Sequence, residues 1–221
     1  MAGDGTSDGP LARDWLIANF VAALGSSVGA LVTSPVRRAL GVNTQEAAFS
    51  AIVSFVAIET AVSVACFVLY AWLAGRVLQR IIPAFPRRAW MAVHCVLGVV
   101  MGGALSVFDI GPDNNEPLEW HGWDMAIFVV LMFAILGVLI GVAWGGLQAL
   151  ALRRAATGLR VWIAASVAMW CLMALLLGAI LPFVSFERTF AADAIAAGIV
   201  LIIVMLGAVV MLPALRRLVP A

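Results

Sequence analysis

Apolar residues come in six long blocks, each parted from the next by a short polar segment: Trp15 to Thr33, Ala47 to Leu73, Trp90 to Ile110, Met125 to Leu150, Val161 to Val184 and Ala191 to Leu212. Each block is near the length of about 20 residues that an α-helix needs to cross the hydrocarbon of a bilayer. The pattern predicts an all-α polytopic membrane protein of six transmembrane helices, arranged as three helical hairpins over residues 13–80, 88–154 and 160–217 of a single domain, 13–221. Ahead of it, residues 1–12 open with a Gly/Asp/Ser/Thr-rich stretch and read as a flexible cytoplasmic tail. That stretch lacks the basic segment of a signal peptide, so the first block is read as a retained span.

Orientation follows from arginine, because basic residues collect in short cytoplasmic loops. With the N-terminus inside, Arg13, Arg76, Arg80, Arg87, Arg88, Arg153, Arg154, Arg160, Arg216 and Arg217 fall inside, ten of the 13 basic residues. Glu46, Asp109, Asp113, Glu116, Glu119, Asp124, Glu187 and Asp193 gather on the other side. Both termini are predicted cytoplasmic, in a bacterial inner membrane. Arg37 and Arg38 run against the rule and are expected in a short outer loop, held by headgroups, by Glu46 or by a partner.

The inner helix ends repeat. Odd-numbered blocks open with Arg-x-Trp (Arg13 and Trp15, Arg88 and Trp90, Arg160 and Trp162), and even-numbered ones close with Leu-x-Arg (Leu78 and Arg80, Leu152 and Arg154, Leu215 and Arg217). Three matching pairs in order suggest a duplicated hairpin, although interfacial Trp and Arg arise at any inner helix end.

Composition agrees with the pattern. The 221 residues are 64% apolar and 11% charged, with a mean hydropathy of +1.10, too little polar surface for a water-facing globule. A net charge of +1 gives no sign of nucleic acid. The absence of lysine removes Schiff-base and P-loop chemistry. Cys66, Cys95 and Cys171 lie singly within apolar blocks and read as packing residues.

Helices in lipid associate through small residues. Gly137, Gly141 and Gly145 repeat at intervals of four in the fourth block, Gly98 and Gly102 with Ser106 in the third, and Ala18, Ala22, Ser26 and Ala30 beside Gly25 and Gly29 in the first. These are packing faces, toward helices of this chain or of another.

Glu59 lies 13 residues from both Glu46 and Trp72, about 20 Å from each at 1.5 Å per residue and so near mid-membrane. A carboxylate there costs about 2.5 kcal/mol or more. It shares a face with Ser63, Cys66 and Tyr70, pointing into the bundle as a proton or cation site or as a hydrogen-bonded acid. His94, four residues after Trp90, has Asn19 and Ser166 in the same place after Trp15 and Trp162, which suggests a ring of polar residues at one depth. Direct pairing of His94 with Glu59 is not expected.

The acidic segment Asp109 to Asp124, with His121, fails the spacing of a calcium loop and reads as an outer loop anchored by Trp120 and Trp123, with no metal site. Gly25-Ser26-Ser27-Val28-Gly29 has the letters of a nucleophile elbow but sits in a helix. Two histidines do not supply multi-haem ligation. No cofactor is expected.

Gly141-x-x-x-Gly145-Gly146-x-Gln148-x-x-x-Leu152-Arg153-Arg154, followed by Val161-Trp162, resembles a helix end in a family of uncharacterised bacterial multi-span proteins, with Ala149 where that family carries tryptophan. The resemblance implies topology and no activity. Three functions are weighed. The glycine faces and the lack of a catalytic constellation favour a non-enzymatic structural or interaction subunit, whose partners are the bilayer and another membrane protein or a second copy. A proton- or cation-coupled transporter or channel using Glu59, His94 and Asn19 is the alternative. A lipid-modifying enzyme at the acidic loop is third.

Overall fold

The computed structural model describes residues 8–42, 47–109, 123–180 and 190–221. They form α1 (Asp8–Leu40), α2 (Phe49–Ile81), α3 (Arg87–Asp109), α4 (Trp123–Leu152), α5 (Leu159–Ile180), α6 (Phe190–Val210) and a short α7 (Leu212–Arg217). A small antiparallel ribbon joins β1 (Ala156–Thr157) to β2 (Val219–Pro220), with Ala156 opposite Pro220. Among the described residues, five helical stretches are long and apolar enough to cross a membrane: Gly9–Leu40, Phe49–Ile81, Val130–Leu152, Leu159–Gly178 and Ala197–Arg217.

Many large apolar side chains point outward, and along α4 small ones point inward. On α4, Ile135 and Leu139 are 61% and 62% exposed, whereas Gly137, Gly141 and Gly145 are buried. A water-soluble core has the opposite arrangement, and this one suits lipid, where van der Waals packing of small residues replaces the hydrophobic drive.

Each long helix packs on the next in the chain, and α6 returns to pack on α1, so the six close into a ring. The most intimate pairs are α4 with α5 and α2 with α3, followed by α1 with α2 and α1 with α6, while α3 touches α4 lightly. Glycine explains the order. A Cβ at Gly98 or Gly102 of α3 would lie 2.8 Å from Val64 Cα or 2.7 Å from Thr60 Cα of α2, and one at Gly141 of α4 would lie 2.6 Å from Val167 Cα of α5. The tight seams therefore join one expected hairpin to the next. Residues 88–154 in particular do not form a close hairpin.

Two boundaries also differ from the sequence reading. Helix α1 starts at Asp8, so residues 8–12 are helical rather than tail; Pro10 is tolerated because the first turn has no intrahelical use for its missing N–H. At its other end α1 continues past Thr33, through Pro35, to Leu40, and Gly41, at φ +65°, turns the chain out of the helix. Arg37 and Arg38 are consequently on a helix and not in a loop. Arg38 is exposed, but Arg37 is 4% exposed and faces inward.

Candidate functional site

The arginine-rich end of the ring is held by a buried aromatic layer. Trp15, Trp90 and Trp162 are all 0% exposed and belong to one core cluster with Leu78, Leu152 and Leu215, which are the leucines of the three Leu-x-Arg helix ends. Trp162 is central, with its ring centroid 6.0 Å from that of Trp15 and 6.4 Å from that of Trp90, edge to face in both pairs. Each indole N–H donates to a neighbouring helix: Trp15 to the Ala208 carbonyl (3.2 Å), Trp90 to the Ala71 carbonyl (3.1 Å) and Trp162 to Gln148 Oε1 (3.0 Å). All three indoles therefore face the protein interior. Nearby, Arg80 forms an ion pair with Asp14 and ties α2 to α1 at their polar ends.

One turn further along each odd helix stands the polar residue that the repeat picks out. Asn19 Nδ2 donates to the Trp15 carbonyl (2.8 Å), Ser166 Oγ to the Trp162 carbonyl (3.0 Å), and His94 Nδ1 lies 2.8 Å from the Trp90 carbonyl. All three are buried. His94 also places Nε2 3.1 Å from Gln148 Nε2. An indole N–H can only donate, so Trp162 fixes Gln148 with Oε1 toward itself and its amide N–H toward His94. His94 Nε2 then accepts, Nδ1 carries the proton and donates to the Trp90 carbonyl, and the imidazole is neutral. The result is a directed chain, Trp162 to Gln148 to His94 to Trp90, that links α5, α4 and α3. Gln148 entered the sequence reading only within a motif; its partner is 54 residues away and nothing local marks it.

Beyond this layer two half-open cavities lie between the helices, stacked along α1. The first, about 150 Å³, is lined by Asn19, Ala22 and Ser26 of α1, Cys66, Phe67 and Tyr70 of α2, Trp144 of α4, Trp170 with two methionines, Met169 and Met173, of α5, and Val204 of α6. Its aromatic wall is continuous: Phe67 to Trp144 and Trp144 to Trp170 both have centroids 5.2 Å apart. The second, about 210 Å³, is lined on α1 by Ser26, Ser27, Thr33, Ser34 and Arg37, with Glu59 and Phe55 of α2 and Val200 of α6. Ser26 lines both. From Asn19 to Arg37 is 18 residues, so the two together extend over about 27 Å of α1, close to the thickness of the hydrocarbon core.

Glu59 is thus inside the ring, with one carboxylate oxygen fully enclosed, on the wall of a cavity that also carries a buried arginine. One acidic and one basic side chain on its walls make this cavity polar. Pro35 lies within the same stretch; lacking an N–H, it leaves the Leu31 carbonyl without its usual helical donor and weakens α1 where it borders this cavity.

The predicted residues are therefore divided among three places. Glu59 lines the polar cavity, Asn19 the aromatic cavity, and His94 lies in the tryptophan layer, against Tyr70 and Trp144 of the aromatic wall. Gly137, Gly141 and Gly145 press on α5, and Gly98 and Gly102 on α2. Sequence reasoning missed Arg37, because the apolar block ends at Thr33 whereas the helix does not, and it missed the aromatic wall, whose members come from three helices. Residues 110–122 of the acidic segment, His121 among them, and Glu46 and Glu187 lie outside the described residues, and among those described no group of His, Cys, Asp and Glu could hold a metal ion.

Comparison with family models, with curated proteins and with solved structures gives no match.

Proposed function

We propose that this chain is a proton- or cation-coupled carrier of a small polar solute. The observation that carries the reading is the pair of cavities that share Ser26, with Glu59 on the wall of one and Asn19, bonded to the tryptophan layer, on the wall of the other. In this reading water and the coupling ion reach Glu59 from the Arg37 end, the solute sits in the aromatic cavity, and the Trp162–Gln148–His94 chain keeps the far end shut. A carboxylate at mid-membrane is costly and by default marks a functional path, here with the Arg37 side chain on the wall of the same cavity. A scaffold role would draw on the glycine faces, but those of α3 and α4 are in contact with α2 and α5 of the same chain.

The reading includes α3 as a sixth crossing; its 23 residues extend about 33 Å along α2. It also includes a bacterial inner membrane with both termini cytoplasmic, on the strength of the arginine distribution. Descent from a duplicated hairpin is part of it, supported by equivalent tryptophans that carry equivalent polar residues one turn on.

The test is electrical. Reconstituted protein on a solid-supported membrane, challenged with a panel of amino acids, sugars and nucleobases under a proton or sodium gradient, gives a gradient-dependent transient current for one class. Glu59→Gln abolishes the current and Glu59→Asp retains part of it. Silence across the panel, or a current indifferent to Glu59→Gln, removes the carrier reading.

A further inference from the structure

Four side chains on the wall of the aromatic cavity, Phe67, Tyr70, Trp144 and Trp170, are aromatic, and two more, Met169 and Met173, carry thioether sulfurs. Ring faces and sulfur lone pairs are both electron-rich. Among the described residues no arginine or histidine lines this cavity, so its wall supplies no positive charge. The other polar groups are engaged within the protein. Ser26 Oγ donates to the Ala22 carbonyl (3.2 Å) and Asn19 Nδ2 to the Trp15 carbonyl (2.8 Å), and each residue keeps an oxygen that can accept. The Tyr70 hydroxyl is hydrogen-bonded with Gln148 and the Cys66 thiol with Ser26. The Trp170 N–H is enclosed in the wall and does not reach the cavity.

We infer that this cavity binds a small organic cation, a methylated ammonium, held by its rings and sulfurs in place of a carboxylate.

Four features select this class. A cation is drawn to the faces of aromatic rings, whereas an anion would meet no positive group and a solute that must accept hydrogen bonds would find the hydroxyl and thiol groups engaged. A metal ion needs a shell of oxygens, and here side chains supply three, from Asn19, Ser26 and Tyr70. The volume, about 150 Å³, is that of a cavity that holds benzene, and tetramethylammonium is of similar size. A counter-charge is near but outside: Glu59 is seven residues from Cys66 on α2, about 10 Å, while Arg37 is 11 residues from Ser26 on α1, about 16 Å. By backbone spacing the guest is nearer the carboxylate than the guanidinium. The inference names the solute of the proposed carrier and so rests on that reading; a quaternary ammonium accordingly joins the panel of the electrical test.

Binding is measured without a gradient, by calorimetry and ligand-observed NMR on the purified full chain in a maltoside detergent, whose head group carries no ammonium. Tetramethylammonium is the probe, tert-butanol the neutral molecule of the same shape and acetate the anionic control. The probe is expected to bind about tenfold more tightly than either control. Phe67→Leu keeps an apolar side chain but removes a ring, and weakens the probe about three- to tenfold with little change for tert-butanol. Trp144→Phe substitutes a poorer ring for cations and weakens the probe less. Tyr70→Phe keeps the ring, removes the hydroxyl and leaves the probe within about twofold of wild type. Equal affinity for the probe and tert-butanol, probe binding unchanged in both Phe67→Leu and Trp144→Phe, or binding lost in Tyr70→Phe and kept in Phe67→Leu overturns the assignment.

Uptake of labelled tetramethylammonium into proteoliposomes separates the two proposals. Binding without gradient-driven uptake leaves the site and removes the carrier. A Glu59-dependent current for another solute, with no tetramethylammonium binding, does the reverse.

Discussion

Gln148 shows how much one side chain can settle. It stands between a group that can only donate, Trp162 Nε1, and an imidazole whose tautomer it thereby fixes. Gln148→Leu leaves a buried indole donor and a buried imidazole nitrogen without partners, and is expected to lower stability by about 1–3 kcal/mol. Ser106→Ala is the contrast. Ser106 Oγ bonds back to the Gly102 carbonyl of its own helix at 2.6 Å, and its loss leaves no orphan donor, so its thermal unfolding in detergent should stay within about 0.5 kcal/mol of wild type. Equal effects of the two variants would mean that the Trp162–Gln148–His94 chain does not hold the layer together. Nothing in the sequence announces Gln148, because a hydrogen bond between residues far apart in the chain leaves no periodic trace. His94, Asn19 and Ser166 were legible only because each follows a tryptophan by the same four residues.

At the level of helices, glycine position decides which surfaces meet. A Cβ at Gly145 would stand 2.7 Å from Ser166 Cβ and 3.1 Å from Ile163 Cα, whereas one at the adjacent Gly146 meets nothing within 4 Å. Gly145→Ala is therefore expected to force α4 off α5 at a cost of about 1–3 kcal/mol, while Gly146→Ala is expected to be neutral or to stabilise by up to about 1 kcal/mol through helix propensity. Thermal denaturation of the pair checks both signs together. The zippers themselves were readable from spacing, since a four-residue interval keeps small side chains on one face. Their partners were not. Small-residue faces are complementary to any close backbone, and the tightest seams run between the hairpins suggested by the repeated helix ends, although α1 also packs on α2 within the first of them. The same limit applies to α1, where apolar content stops at Thr33 but the helix continues, because Arg37 finds a polar interior in place of solvent.

The molecule as a whole is a ring in which α6 closes on α1, with Ser27 Oγ donating to the Ala197 carbonyl at 3.1 Å. In a background with Cys66, Cys95 and Cys171 replaced by alanine, Ser27→Cys with Ala197→Cys should form a disulfide within one chain, seen as a shift in gel mobility at monomer size. A dimer band alone would mean that closure takes place between chains. The ring also fixes an order of events during synthesis. Helix α1 leaves the ribosome before the helix that covers Ser27, with α2 to α5 made in between. Until α6 arrives, that hydroxyl face lies open to lipid or to an insertion factor, so a nascent chain halted before Ala197 should remain with its insertion machinery, and maturation waits for α6 to reach α1.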